Sequence, residues 1–249
     1  MIRWMYAFID RPLDRFEESC AFWTAVTGTS LSTPRGERGE FVTLLPRRAG
    51  GDAYLKLQGV GGGGAGGAHL DLGVDDYEAF RARAVASGAV VVDDHGGWVV
   101  LRSPGGQLFC VMPWDGGAER PEPDVGVRLD QVAIDLAPGV FDAEVEFWAG
   151  LTGWGSYRGA LPEFHLVRPP AEAGLPVRIL LQRLDEERPT SAHLDLACAD
   201  VAETTALHLR LGAEEVRRER LWTVMRDPAG GTYCLTSRDP RTGSLPSAS

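Results

Sequence analysis

The apolar positions of the chain follow two rhythms in a fixed order. Residues 129–136, LDQVAIDL, alternate apolar and polar side chains as a strand does. Residues 140–153, VFDAEVEFWAGLTG, then place Val140, Val145, Phe147, Trp148 and Leu151 on one broad helical face and stop at Gly153, a good helix terminator. EFHLV and VRILLQRL read as strands. The order then restarts: HLDLAC predicts a strand, DVAETTALHLRLG a helix closed by Gly212, and EEVRRE, LWTVMRD and TYCLTS predict strands separated by Gly and Pro turns.

The same order fills the first half, because the chain repeats itself. AHLDLGVDD from Ala68 returns as AHLDLACAD from Ala192, and at that shift of 124 residues 68–115 and 192–239 agree at 17 of 48 positions. The earlier part of each half matches at a shift of 125: Ile9-Asp10 with Ile134-Asp135, Phe22-Trp23 with Phe147-Trp148, Thr27-Gly28 with Thr152-Gly153. The prediction is an α+β fold of four βαβββ units in two tandem domains, residues 1–116 and 127–240. A Gly/Pro-rich linker, 117–126, would join them, and 241–249 would form a loose tail. The run GGGGAGG before His69 lacks a following Lys-Ser/Thr and opens a strand rather than a helix, so it reads as a connector and not a phosphate loop.

Composition adds exclusions. With 44% hydrophobic and 24% charged residues the chain is ordinary globular protein, and each half can bury a core. Net charge is −10, from 35 acidic and 25 basic residues, which argues against nucleic acid and anionic membranes as partners. No apolar stretch approaches the length of a membrane span, and Arg3, Asp10 and Arg11 interrupt the start before a signal-peptide core could form, so a cytoplasmic protein is expected. Cys20, Cys110, Cys198 and Cys234 form no CxxC pair, which suggests neither a structural zinc site nor a disulfide framework.

The ordered pieces together resemble the vicinal oxygen chelate superfamily of glyoxalase I, bleomycin-resistance proteins and extradiol dioxygenases, and within it the glyoxalase-like domain. They are the strands ending in Ile9-Asp10 and Ile134-Asp135, the Phe-Trp helices, the HLDL strands, and the turns at Ser103–Gly106 and Asp227–Gly230 that lead to Cys110 and Cys234. The resemblance implies paired βαβββ units curled into half-open mixed-sheet barrels around a binding site. In metal-dependent relatives it also implies His, Gln or Glu ligands on the first and last strands. Carried over, the ligand positions fall on Tyr6 and Gln131, on Gln58 and Gln182, on His69 and His193, and on Cys110 and Cys234 where a Glu is usual.

Losing that carboxylate in both halves removes the anionic ligand. A thiolate beside a histidine still suits zinc, but a Cys flanked by Phe109 and Val111, or by Tyr233 and Leu235, has the neighbours of a core residue. The expectation is therefore a protein without a cofactor that binds a small organic molecule, an antibiotic or planar metabolite, as a monomer or homodimer. Tyr6, His69, Trp98, Gln131, His165, Gln182, His193 and Trp222 are its candidate contacts. The alternative is a lyase, isomerase or ring-cleaving dioxygenase holding Zn, Ni, Mn or Fe at Gln131, His193 and Cys234. The pairs His69/Asp71 and His193/Asp195 each share one strand face, so His193 and Asp195 are the candidate catalytic pair, with a structural role the simpler reading. His95 and His208 read as exposed.

Overall fold

The computed structural model describes residues 1–48, 50–62, 64–114, 116–117, 119–123 and 126–246. Of the expected linker, residues 118, 124 and 125 lie outside the described residues, as do 247–249 of the expected tail and Gly63 of the glycine run.

The first half runs β1 (Ile2–Pro12), α1 (Phe16–Thr27), β2 (Thr29–Leu31), β3 (Phe41–Pro46), β4 (Leu55–Val60), β5 (Gly67–Val74), α2 (Tyr77–Ala86), β6 (Val90–Asp94), β7 (Val99–Arg102) and β8 (Leu108–Pro113). The second half repeats it as β9 (Val127–Leu136), α3 (Phe141–Thr152), β10 (Gly155–Arg158), β11 (Phe164–Arg168), β12 (Arg178–Arg183), β13 (Ser191–Cys198), α4 (Val201–Arg210), β14 (Glu214–Arg218), β15 (Trp222–Arg226) and β16 (Thr232–Thr236). This is the predicted βαβββ order, four times over. Each half makes one eight-stranded mixed sheet, β2-β3-β4-β1-β5-β8-β7-β6 and β10-β11-β12-β9-β13-β16-β15-β14, and neither sheet closes into a complete barrel.

Local chemistry sets the helix ends. Gly28 and Gly153 stop α1 and α3 in the left-handed region, at φ 65° and 69°, where a side chain would be strained. Asp76 and Asp200 begin α2 and α4 by accepting the backbone N–H of Ala79 at 3.0 Å and of Glu203 at 2.9 Å. The buried stripe of α3 is Phe141, Glu144, Phe147, Trp148 and Leu151, so a glutamate takes the place that the apolar pattern gave to Val145.

The chain divides into two compact units, each drawing on both halves. One comprises Met1–Ala7, His69–Arg120 and Val132–Ala192, the other Phe8–Ala68, Pro121–Gln131 and His193–Ser249. In the first, Trp148 is fully buried and meets Phe109 edge to face at 5.0 Å. In the second, Trp23 is fully buried and meets Tyr233 at 5.3 Å. Each such indole removes about 250 Å² from water, worth on the order of 6 kcal/mol before entropy is counted. No helix among the described residues is long and apolar enough to cross a membrane.

Candidate functional site

A strand sends side chains i and i+2 to the same face, so β13 presents His193 and Asp195 together. Its parallel neighbour β16 brings Cys234 into register with Asp195. One ligand atom from each of His193, Asp195 and Cys234 lies within 4.8 Å of the others, and His193 Nε2 stands 3.5 Å from Asp195 Oδ1. Both Asp195 and Cys234 are buried.

Polar groups from two more segments complete this cluster. Gln131 on β9 donates its amide N–H to Asp195 Oδ2 at 2.5 Å. Arg238, just beyond β16, grips Asp130 with two hydrogen bonds of 2.5 and 3.1 Å and brings a second terminal nitrogen to 3.7 Å from Asp195 Oδ2. Asp195 Oδ1, by contrast, is buried with no hydrogen-bond partner among the described residues. Burial pushes the Asp195 carboxyl above its ordinary value, against the pull of His193 and Arg238.

The first half builds the same trio on β5 and β8. Asp71 is in register with Cys110, His69 Nε2 lies 3.6 Å from Asp71 Oδ1, and the three form a second candidate ligand group. The repeat positions of Asp130, Gln131 and Arg238 carry Met5, Tyr6 and Trp114 in the first half.

The remaining sequence candidates are placed as follows. Trp98 stacks on His95 with ring centroids 3.8 Å apart and planes 8° from parallel, its side chain partly exposed. Trp222 is half-buried, in register with Thr236. His165 pairs in register with Leu181 and Gln182 with Phe164, so His165 and Gln182 face opposite sides of their sheet. His165 shares its side with the buried Val167 and Leu181, bonds Ser156 Oγ at 2.7 Å, and has its pKa lowered by burial and by Arg158. His208 corrects an expectation. It is fully buried, with Nδ1 3.0 Å from the Tyr233 hydroxyl and Nε2 without a partner among the described residues, and burial pushes its pKa down to about 4. The reason is that α4 packs through Thr204, Thr205 and His208.

Sequence reasoning also missed Asp130 and Arg238. The signal was present: Arg128, Asp130 and Asp135 interrupt a strand whose every residue is buried, and buried charges demand partners.

A family model described as the glyoxalase-like domain matches residues 7–112 and again residues 131–236. The chain belongs to the glyoxalase-like domain family. Solved structures agree on the fold of this glyoxalase-like protein. A 2,2',3-trihydroxybiphenyl 1,2-dioxygenase from Sphingomonas wittichii is 17% identical, with 99% of this chain and 94% of that one covered and a TM-score of 0.62. An Mn(II)-bound glyoxalase from Novosphingobium aromaticivorans is also 17% identical, covering 98% and 85% at 0.62. A 2,3-dioxygenase from Pseudomonas is 12% identical, covering 93% and 90% at 0.63. At 12–17% identity these likenesses show a shared fold. No curated protein matches the chain.

The donors of the second half fit a borderline divalent ion. Imidazole nitrogen, carboxylate oxygen and thiolate sulfur together suit zinc better than magnesium or calcium, which seek oxygen alone. A buried carboxylate oxygen that accepts no hydrogen bond is the kind of group that a cation satisfies.

Proposed function

We propose that the protein binds a small organic molecule at the second-half cluster. We propose further that a divalent ion held by His193, Asp195 and Cys234 equips this site for lyase, isomerase or ring-cleaving dioxygenase chemistry. The observation that carries the reading is the buried Asp195 Oδ1, which accepts no hydrogen bond, beside an imidazole nitrogen and a thiol. A bound ion would supply Lewis acidity to a substrate oxygen. Gln131 fixes the carboxylate from behind through Oδ2, leaving Oδ1 turned to the histidine. Arg238 and Asp130 set a buried ion pair against the same carboxylate, with Arg238 3.7 Å from Asp195 Oδ2.

A metal-free binder is the second reading. It is favoured by the recurrence of the His-Asp-Cys trio in the first half, where Met5 and Trp114 occupy the repeat positions of Asp130 and Arg238. Metal analysis of protein purified without chelators, with melting curves in zinc, nickel, manganese and iron, separates the two. The metal reading expects a bound ion and a raised melting temperature, both lost in His193→Ala and reduced in Cys234→Ser. No ion and no response to any of the four metals would leave the metal-free binder.

A further inference from the structure

The edge strand β10 carries a serine joined to a histidine, in the compact unit that does not contain His193. Sheet order gives β10 one neighbour, β11, and leaves its other side open. Ser156 and Arg158 are in register with Val167 and His165 of β11, so strand alternation puts Ser156, Arg158 and His165 on one face. There Ser156 Oγ lies 2.7 Å from His165 Nε2. Ser156 and Arg158 are exposed, and Arg158 makes no ion pair or hydrogen bond among the described residues.

Burial and Arg158 hold the imidazole below its ordinary pKa, while Asp142 in the first turn of α3 pulls the other way. Other charges around it are Glu163 just before β11, Arg183 at the end of β12, and Glu146 one turn beyond Asp142. A neutral imidazole whose Nε2 accepts the serine hydroxyl is a general base in place, and the Asp142 carboxylate favours the imidazolium that proton transfer creates. The open edge adds donors. Gly159 gives its N–H to the Phe164 carbonyl at 2.8 Å, so alternation turns the N–H groups of Ser156 and Arg158 away from β11.

We propose that Ser156 and His165 are a nucleophile and its base for acyl transfer from small activated esters, with Arg158 and the edge N–H groups stabilising the oxyanion. Ser156 Oγ bonds to the ester carbonyl carbon as its proton passes to His165 Nε2, and the carbonyl oxygen takes up the negative charge. Collapse breaks the bond to the leaving oxygen, which takes the proton from the imidazolium and departs as an alcohol or phenol. Water, giving a proton to His165, then splits the acyl–Ser156 ester and releases the acid. Because Ser156 is open to solvent, the reaction suits a short acyl group on a good leaving group and not a substrate that needs an enclosing pocket.

Hydrolysis of p-nitrophenyl acetate by the full chain tests the pair. Because p-nitrophenolate leaves readily, an acetyl group should accumulate on Ser156, where acid quenching and mass spectrometry locate it. The chain has a single lysine, Lys56, so competing acetylation is easily told apart. Ser156→Ala and His165→Gln should each lower the rate above buffer at least tenfold with unchanged circular dichroism. The rate should rise with pH to a plateau with its midpoint below 6.5, and Arg158→Gln should move that midpoint up and Asp142→Asn down. A chelator should change nothing, since no donor of the second-half cluster takes part. The proposal is overturned if Ser156→Ala keeps the wild-type rate, which would leave the imidazole acting alone, or if no acetyl group is found on Ser156. It is equally overturned if a chelator abolishes the activity, or if the midpoint ignores Arg158→Gln.

Discussion

Glu144 and Asp227 do the same work from opposite partners. Trp148 donates its indole N–H to Glu144 Oε1 at 2.8 Å, and Trp23, its repeat equivalent, donates to Asp227 Oδ2 at 3.0 Å. Glu144 sits on α3 and reaches Ser103 in the β7–β8 turn at 2.5 Å, whereas Asp227 sits in the β15–β16 turn itself. Ser19 occupies the helix position of Glu144 in the first half, and Ser103 the turn position of Asp227. The carboxylate has exchanged places with a serine between repeats, and the indole is satisfied either way. Only Asp227 has a counterion, Arg11 at 2.5 Å, whose repeat equivalent is Leu136.

That asymmetry predicts unequal costs. Asp227→Asn leaves the buried Arg11 charge without an anion and should cost about 3–5 kcal/mol. Glu144→Gln removes no ion pair and retains an acceptor oxygen, so about 1–3 kcal/mol is expected. Urea unfolding of both variants measures the difference, and the opposite ranking would refute the assignment.

His208 predicts acid sensitivity. Its folded pKa lies near 4 against an ordinary 6.5, so between these values the unfolded chain takes up a proton that the folded chain refuses. Its contribution is complete above about pH 6.5 and is lost as pH falls towards 4, by on the order of 3 kcal/mol. The unfolding free energy of wild type minus that of His208→Gln, measured at pH 7, 5.5 and 4, should shrink by that amount. A difference that stays constant with pH excludes the histidine as the cause.

The strand and helix order was legible because alternation and the repeat reinforce each other, and the His-x-Asp faces followed from strand geometry alone. What stayed hidden was whatever depends on a neighbour distant in sequence. Cys234 reads as a core residue from Tyr233 and Leu235, and only the parallel register of β13 and β16 sets it beside Asp195. His208 escaped because the buried face of α4, Thr204, Thr205 and His208, is polar, so an apolar stripe could not reveal it. Glu144 escaped for a different reason: it sits inside the otherwise apolar face of α3, where an apolar pattern does not register a carboxylate.

Thiol chemistry gives a third prediction. None of the four cysteines forms a disulfide among the described residues and all are buried, and burial raises Cys20 to about 11 and Cys198 to about 12. Little thiolate forms near neutrality, so native protein should react with an aromatic disulfide reagent at least about a hundredfold more slowly than protein in urea. Rapid labelling of Cys20 or Cys198 in the native state, located by mass spectrometry, would contradict the packing described.

Arg238 offers the sharpest test of the second-half site, because stability and ion affinity should move in opposite directions. Arg238→Met takes the guanidinium charge away from the buried carboxylates of Asp130 and Asp195, an expected loss of about 3–5 kcal/mol. Removing a positive charge 3.7 Å from Asp195 Oδ2 should meanwhile tighten a divalent ion on His193, Asp195 and Cys234 by about tenfold or more, since the repulsion acts through a poorly screened interior. The double variant Asp130→Met/Arg238→Trp copies Met5 and Trp114 of the first half and removes both charges together. It should therefore be less destabilised than Arg238→Met alone. Zinc titrations and urea unfolding on the same proteins decide the matter. Lower stability with unchanged zinc affinity would reduce Arg238 to a structural ion-pair partner, whereas tighter zinc on a weaker fold ties it electrostatically to the ion site.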